Sequence, residues 1–143
     1  MSVLLTTVYV SSATHRFNSN DLARLVGQAS RNNNANDISG MLLYYDGSFM
    51  QALEGPEEAV LACVERIQKD PRHHGMIPIL KQKIQHRNFQ GWAMGCENAD
   101  LLPLADRAPI RCLFQKIQGQ GIADDESIAI KLLTSFQASI LKC

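Results

Sequence analysis

Residues 38–55 read ISGMLLYYDGSFMQALEG, two apolar runs on either side of Asp46-Gly47. That dipeptide suits the positive φ angles of a two-residue hairpin turn, so the stretch is expected to fold as two antiparallel strands. Side chains alternate along a strand, which puts Phe49, Gln51 and Leu53 on one face of the second run and Ser48, Met50 and Ala52 on the other. Gln51 is thus an amide between two large apolar neighbours. Buried without partners it would cost about 1–3 kcal/mol, so what it bonds to is the question the hairpin raises. The run closes on Glu54-Gly55-Pro56-Glu57-Glu58, where proline and acidic residues suit the first turn of a following helix.

Upstream of the hairpin, Val3 to Val10 is rich in β-branched residues and reads as a first strand, with Val3, Leu5, Thr7 and Tyr9 on one face. Ser11 to Phe17 reads as a polar connection. Asn18, Ser19 and Asn20 offer caps for a helix whose Leu22, Leu25, Val26 and Ala29 follow at helical spacing. Its end is expected near Asn32-Asn33-Asn34, because consecutive asparagines favour turns. Downstream, a second helix is expected from Pro56 to Lys69, buried along Val60, Val64 and Ile67 with Cys63 beside them, and stopped by Asp70-Pro71.

Met76 to His86 reads as a fourth strand, with Pro78 marking an edge or a distortion near its start. Asn88 to Gly91 is a turn, and Trp92 to Cys96 a short fifth strand with Trp92, Met94 and Cys96 on one face. The order is β-α-β-β-α-β-β. Its first six elements match an α+β ferredoxin-like unit, an antiparallel sheet with two helices on one face. In that order the first and third strands are neighbours, so Tyr9 and Gln51 can face each other under the helices. Residues 1–98 form this domain, and residues 99–143 are expected to be a helical extension that packs on the sheet or mediates association. Asp124 and Asp125 can cap its last helix, in which Ile128, Leu132, Phe136 and Ile140 recur every four residues.

The composition excludes several classes. A chain of 143 residues, 45% hydrophobic, suits one domain with a substantial core. Fourteen basic and fourteen acidic residues balance, so neither nucleic acid nor an anionic membrane is an expected partner. No apolar run approaches the roughly 20 residues of a membrane span. The start MSVLLTTVYV has no basic n-region or cleavage site, which predicts mature structure and a cytoplasmic protein. Cys63, Cys96, Cys112 and Cys143 are scattered without a C-x-x-C pair and read as buried or idle thiols, not a zinc site. Adjacent His73-His74 is poor geometry for one metal and reads as solvated loop. There is no Walker A loop, no G-x-S-x-G and no H-E-x-x-H, and Gly119-Gln120-Gly121 is only a fragment of a dinucleotide fingerprint.

What remains is a polar set in positions where such a fold should be apolar: Tyr9, Asn32, Asn33 and Gln51. Singly, each is explained by an amphipathic core, a cap or a turn. Together they suggest one site.

The sequence resembles the BLUF domain family, blue-light sensors that use FAD. The resemblance rests on Tyr9 in TTVYVSSAT, on Arg31-Asn32-Asn33 followed by ANDISGMLLYYDGSFMQALEG, on Asp70-Pro71-Arg72-His73-His74, and on Asn88-Phe89-Gln90-Gly91-Trp92-Ala93-Met94. It implies a flavin between the two helices, its polar edge held by Asn33, with Asn32, Arg66, Asp70, Arg72 and His73 as further contacts. The choice of FAD over FMN comes from the resemblance alone. Tyr9 and Gln51 would be the photoactive pair. Under light, Tyr9 would give up an electron and a proton by way of Gln51, leaving that amide rotated or tautomerised. Trp92 and Met94 would lie beside the glutamine and relay its change. The resemblance therefore implies a short receptor without enzymatic activity, signalling to a separate protein or through its homo-oligomeric state. The alternatives are a flavin-dependent reductase on the same scaffold, which turnover of NADH would reveal, and a plain ferredoxin-like association module without a chromophore.

Overall fold

A computed structural model describes residues 3–87, 89–91 and 93–98 of the chain. The expectations for Trp92, for Cys112 and Cys143 and for the extension over 99–143 lie outside the described residues. The elements run in the order β1 (Leu4–Ala13), α1 (Ser19–Ala35), β2 (Ser39–Tyr45), β3 (Ser48–Pro56), α2 (Glu57–Gln68), β4 (His73–Ile84) and β5 (Gly95–Asn98). The strands form one sheet in the order β4-β1-β3-β2-β5, which puts β3 at its centre. Every pairing is antiparallel except β2 with β5, which run parallel.

The hairpin forms as its sequence dictates. Asp46 and Gly47 both take positive φ, 44° and 80°, and Tyr45 pairs with Ser48 across the turn. Gly40 in β2 answers a different need. A Cβ there would stand 2.3 Å from the Ala52 carbonyl oxygen of β3, so only hydrogen fits. At the start of α1, the Asn18 side chain accepts from the Asp21 amide at 2.8 Å while the Asp21 carboxylate accepts from the Asn18 amide at 3.1 Å. This reciprocal pairing satisfies donors that a helix start otherwise leaves open.

Both helices lie on one face of the sheet. Leu22 of α1 and Val60 and Cys63 of α2 pack with Leu5, Tyr9, Leu42, Phe49 and Leu53 of the strands, all buried. Full burial of a leucine or phenylalanine contributes roughly 1.5–3 kcal/mol, so this layer is a large contributor to the fold's stability. On the other face Val8, Val10, Met41, Leu43, Met50 and Ala52 are buried as well.

Several expected boundaries move, each for a physical reason. β1 continues past Val10 to Ala13, because Ser11 and Ser12 keep pairing with Phe49 and Ser48 and the Ala13 amide reaches the Gly47 carbonyl at 2.8 Å. The longer β1 offers partners to His73 and His74, so these residues open β4 three positions before Met76 and are not a solvated loop. α1 runs through its asparagines to Ala35, and α2 starts after Pro56, which caps it. β5, expected over Trp92 to Cys96, is Gly95–Asn98, so Met94 precedes it and does not share a strand face with Cys96. Pro78 behaves as expected. It lies on the edge strand, opposite Tyr9, where the β1–β4 register shifts.

Candidate functional site

Tyr9 and Gln51 are direct cross-strand partners in β1 and β3. Both are buried, and the Tyr9 hydroxyl donates to Gln51 Oε1. With that oxygen engaged, the amide presents Nε2 on its other side, where it lies 3.8 Å from Met94 Sδ. A thioether is a weak acceptor, so this second contact is the looser of the two. Burial pushes the Tyr9 phenol well above its ordinary pKa, and the neighbouring Cys63 and Asp70 push the same way. The phenol therefore holds its proton firmly in the ground state.

Asn33 is 1% exposed although it lies in the last turn of α1. Its Nδ2 donates to the Ala93 carbonyl at 2.6 Å, and its Oδ1 lies 3.8 Å from Cys63 Sγ, which can donate to it. Burial raises the Cys63 pKa, while Arg66 one turn along α2 acts in the opposite direction. Asp70 and Arg72 form a two-pronged ion pair, Nη2 to Oδ2 at 2.6 Å and Nε to Oδ1 at 3.0 Å. The Arg72 hydrogen bonds hold the Asp70 carboxyl below its usual pKa and raise that of the guanidinium. His73 Nε2 lies 2.6 Å from the Ile67 carbonyl. A carbonyl only accepts, so Nε2 carries the hydrogen of that bond. Nδ1 is buried and has no partner among the described residues.

One cavity joins these groups. It is lined by Tyr9, Asn32, Asn33, Gln51, Arg66, Asp70, Arg72 and His73, eight residues that the sequence singled out, which come from β1, α1, β3, α2, the connection from α2 to β4 and the start of β4. Met94 reaches the site through Gln51. The cavity also includes Ser11, Leu25, Gln28, Leu42 and Cys63, which the sequence reading did not assign to a site. A helical signal was available for Gln28, one turn before Asn32 on α1. Ser11 was hidden by the early end expected for β1. Among the described residues no cluster of three His, Cys, Asp or Glu side chains could hold a metal.

Comparison with known proteins decides the family. The model of BLUF, "Sensors of blue-light using FAD", matches residues 4–95. The chain belongs to the BLUF family. Among curated relatives, the photoactivated adenylate cyclase subunit beta of Euglena longa is 34% identical over 110 residues, or 73% of this chain and 13% of that protein. This chain thus spans a small part of the relatives it matches. Among solved structures, a bacterial light-regulated adenylyl cyclase is 30% identical with a TM-score of 0.73, over 80% of this chain and 34% of that one. BlrB, a BLUF protein in its dark state, shares the fold at a TM-score of 0.78 and 24% identity, over 97% of this chain and 98% of its own.

The cavity fits the family's FAD. Leu25, Ala29, Leu42, Phe49 and Ile67 supply apolar walls for a flat ring system. Asn33 and Gln51 supply amides that can pair with the polar edge of that ring, and His73 Nδ1 is a buried nitrogen that a polar group of the ligand could reach. Arg66 adds positive charge for an anionic tail, the charge of Arg72 being matched by Asp70.

Proposed function

We propose that this chain is a non-catalytic blue-light receptor in which Tyr9 and Gln51 are the photoactive pair and Met94 receives the change. The observation that carries this reading is the hydrogen-bonded line from Tyr9 through Gln51 to Met94 at the cavity wall. Bound FAD supplies the absorption of blue light and the electron demand that accompanies it. Tyr9 answers as a phenol whose acidity rises sharply once it gives up an electron, and its proton then has a ready path along the existing bond to Gln51 Oε1. Gln51, which accepts at Oε1 and donates at Nε2 and can exchange the two by a flip, is left rotated or tautomerised when the electron returns. Its Nε2 then no longer faces Met94 as before. Phe49 and Leu53, buried on either side of Gln51, keep water from competing for these bonds.

Asn32, Asn33, Arg66, Asp70, Arg72 and His73 act as the binding set, with Asn33 at the ring edge and the charged groups toward the tail. The output is a change of contact with a separate protein or between copies of this chain, in the cytoplasm, with Trp92 as a second relay residue. The test is an absorption spectrum before and after blue illumination. The flavin bands of the purified, FAD-loaded protein are expected to shift reversibly to the red. Tyr9→Phe and Gln51→Leu are each expected to keep flavin bound and lose the shift. A wild-type protein that binds no flavin, or a variant whose photocycle is unchanged, would overturn the corresponding assignment.

A further inference from the structure

The segment that leads from β4 to Met94 is held at two ends by two different sets of side chains. At its start, Arg87 donates to the Asp37 carbonyl at 2.8 Å and to Ser39 Oγ at 2.9 Å. Ser39 Oγ in turn donates to Glu54 Oε1 at 3.1 Å, and the Phe89 amide donates to the same carboxylate oxygen. Glu54 and Phe89 are both fully buried. At the far end the holders are cavity residues, Asn33 on the Ala93 carbonyl and Gln51 on Met94 Sδ. Gly91 stands between the two sets with φ of 84°, and among the described residues, its chain neighbours aside, no atom lies within 4 Å of the place its Cβ would take.

The two ends differ in strength. A fully buried carboxyl oxygen that accepts from both an amide and a hydroxyl makes two hydrogen bonds to strong donors, and removing it leaves those buried donors unsatisfied. The Gln51 contact to a thioether is weak by comparison. Glu54 also lies three residues from Gln51 on β3, and strand alternation puts its side chain on the opposite face, away from the cavity. It takes no part in the photochemistry yet grips the same segment.

We propose that Glu54 is the positioning residue of signal transfer. It pins the segment at Phe89, so that a change at Gln51 displaces only the residues beyond Gly91. The inference rests on the receptor reading and adds to it a fixed hinge outside the flavin cavity.

Hydrogen exchange of the full, FAD-loaded chain in the dark and under blue light tests it. The Phe89 amide is expected to exchange equally slowly in both states, while the amides of Ala93 to Gly95 exchange several-fold faster in the light. Glu54→Ala is expected to keep the flavin and its red shift, yet to lose protection at Phe89 in the dark. Glu54→Gln, which keeps an acceptor oxygen for both donors, restores the wild-type pattern. A red shift accompanied by faster exchange at Phe89 in wild-type protein would overturn this inference alone, as would a Glu54→Ala protein that matches wild type at every amide. Absence of the red shift in wild-type protein would overturn the receptor reading and the hinge with it. The wild-type comparison decides the matter even where Glu54→Ala does not fold.

Discussion

Gln51 looked in the sequence like a buried amide in need of partners, and the fold gives it two, Tyr9 on the oxygen and Met94 on the nitrogen. That Tyr9 and Gln51 meet was legible, because a hairpin turn and strand alternation fix both faces before any contact is known. That Asn33 lines this cavity was suggested only by the resemblance, since an asparagine at a helix end ordinarily just turns the chain. Its burial and its bond to Ala93 come from tertiary packing. Asn33→Ala leaves the Ala93 carbonyl without that donor and removes an amide from the cavity. A loss of about 1–2 kcal/mol is expected, or roughly a 5- to 30-fold weaker affinity for FAD in a binding titration.

The raised Tyr9 pKa gives a second prediction at this scale. Above the ordinary tyrosine value of about 10, the unfolded chain has lost a proton that the folded chain still holds. The folded state then binds more protons, so stability falls as pH rises through that range and is unaffected by Tyr9 below it. The amplitude of the red shift is therefore expected to stay level from about pH 6 to about pH 9. In an alkaline titration, the tyrosinate absorbance that distinguishes wild type from Tyr9→Phe should appear only as the fold is lost.

At the scale of elements, the hairpin and both helices were readable because turn chemistry, caps and apolar spacing all pointed the same way. The strand ends were not. Ser11 and Ser12 have no hydrophobic signature, yet their backbones continue the ladder with β3, and His73 and His74 join because β1 offers them partners. Pairing of this kind depends on a distant strand, so no local pattern marks it. β5 was misplaced for the same reason, since its bounds are set by parallel pairing with Met41 to Tyr44. Gly40 tests the closeness of this layer. In Gly40→Ala the new methyl meets the Ala52 carbonyl in a sheet buried on both faces, and neither strand can withdraw without breaking its ladder. A destabilisation of about 1–3 kcal/mol is expected in urea unfolding, with the midpoint lowered and the slope unchanged.

At the scale of the molecule, one cavity reaches β1, α1, β2, β3 and α2, and the start of β4. A ligand there contacts both helices and the sheet at once, so its binding energy bears on the whole fold and not on a single loop. His73 Nδ1 is buried in this region with no partner among the described residues, and a partner for it in the ligand would remove a cost that the fold otherwise carries. Binding to the native state alone adds about 2.7 kcal/mol when free ligand stands at 100 times its dissociation constant. For a chain of this size each kcal/mol moves the melting midpoint by roughly 2–4 °C. FAD at that excess should therefore raise the Tm by roughly 5–10 °C. Gln51→Leu, which removes the switch but leaves the walls and Asn33, is expected to retain most of that increment in a thermal melt followed by circular dichroism. Asn33→Ala should retain less of it at the same FAD concentration. Equal increments in the two variants would show that Asn33 does not hold the flavin, and the photochemical and binding roles would then have to be redrawn around the same cavity.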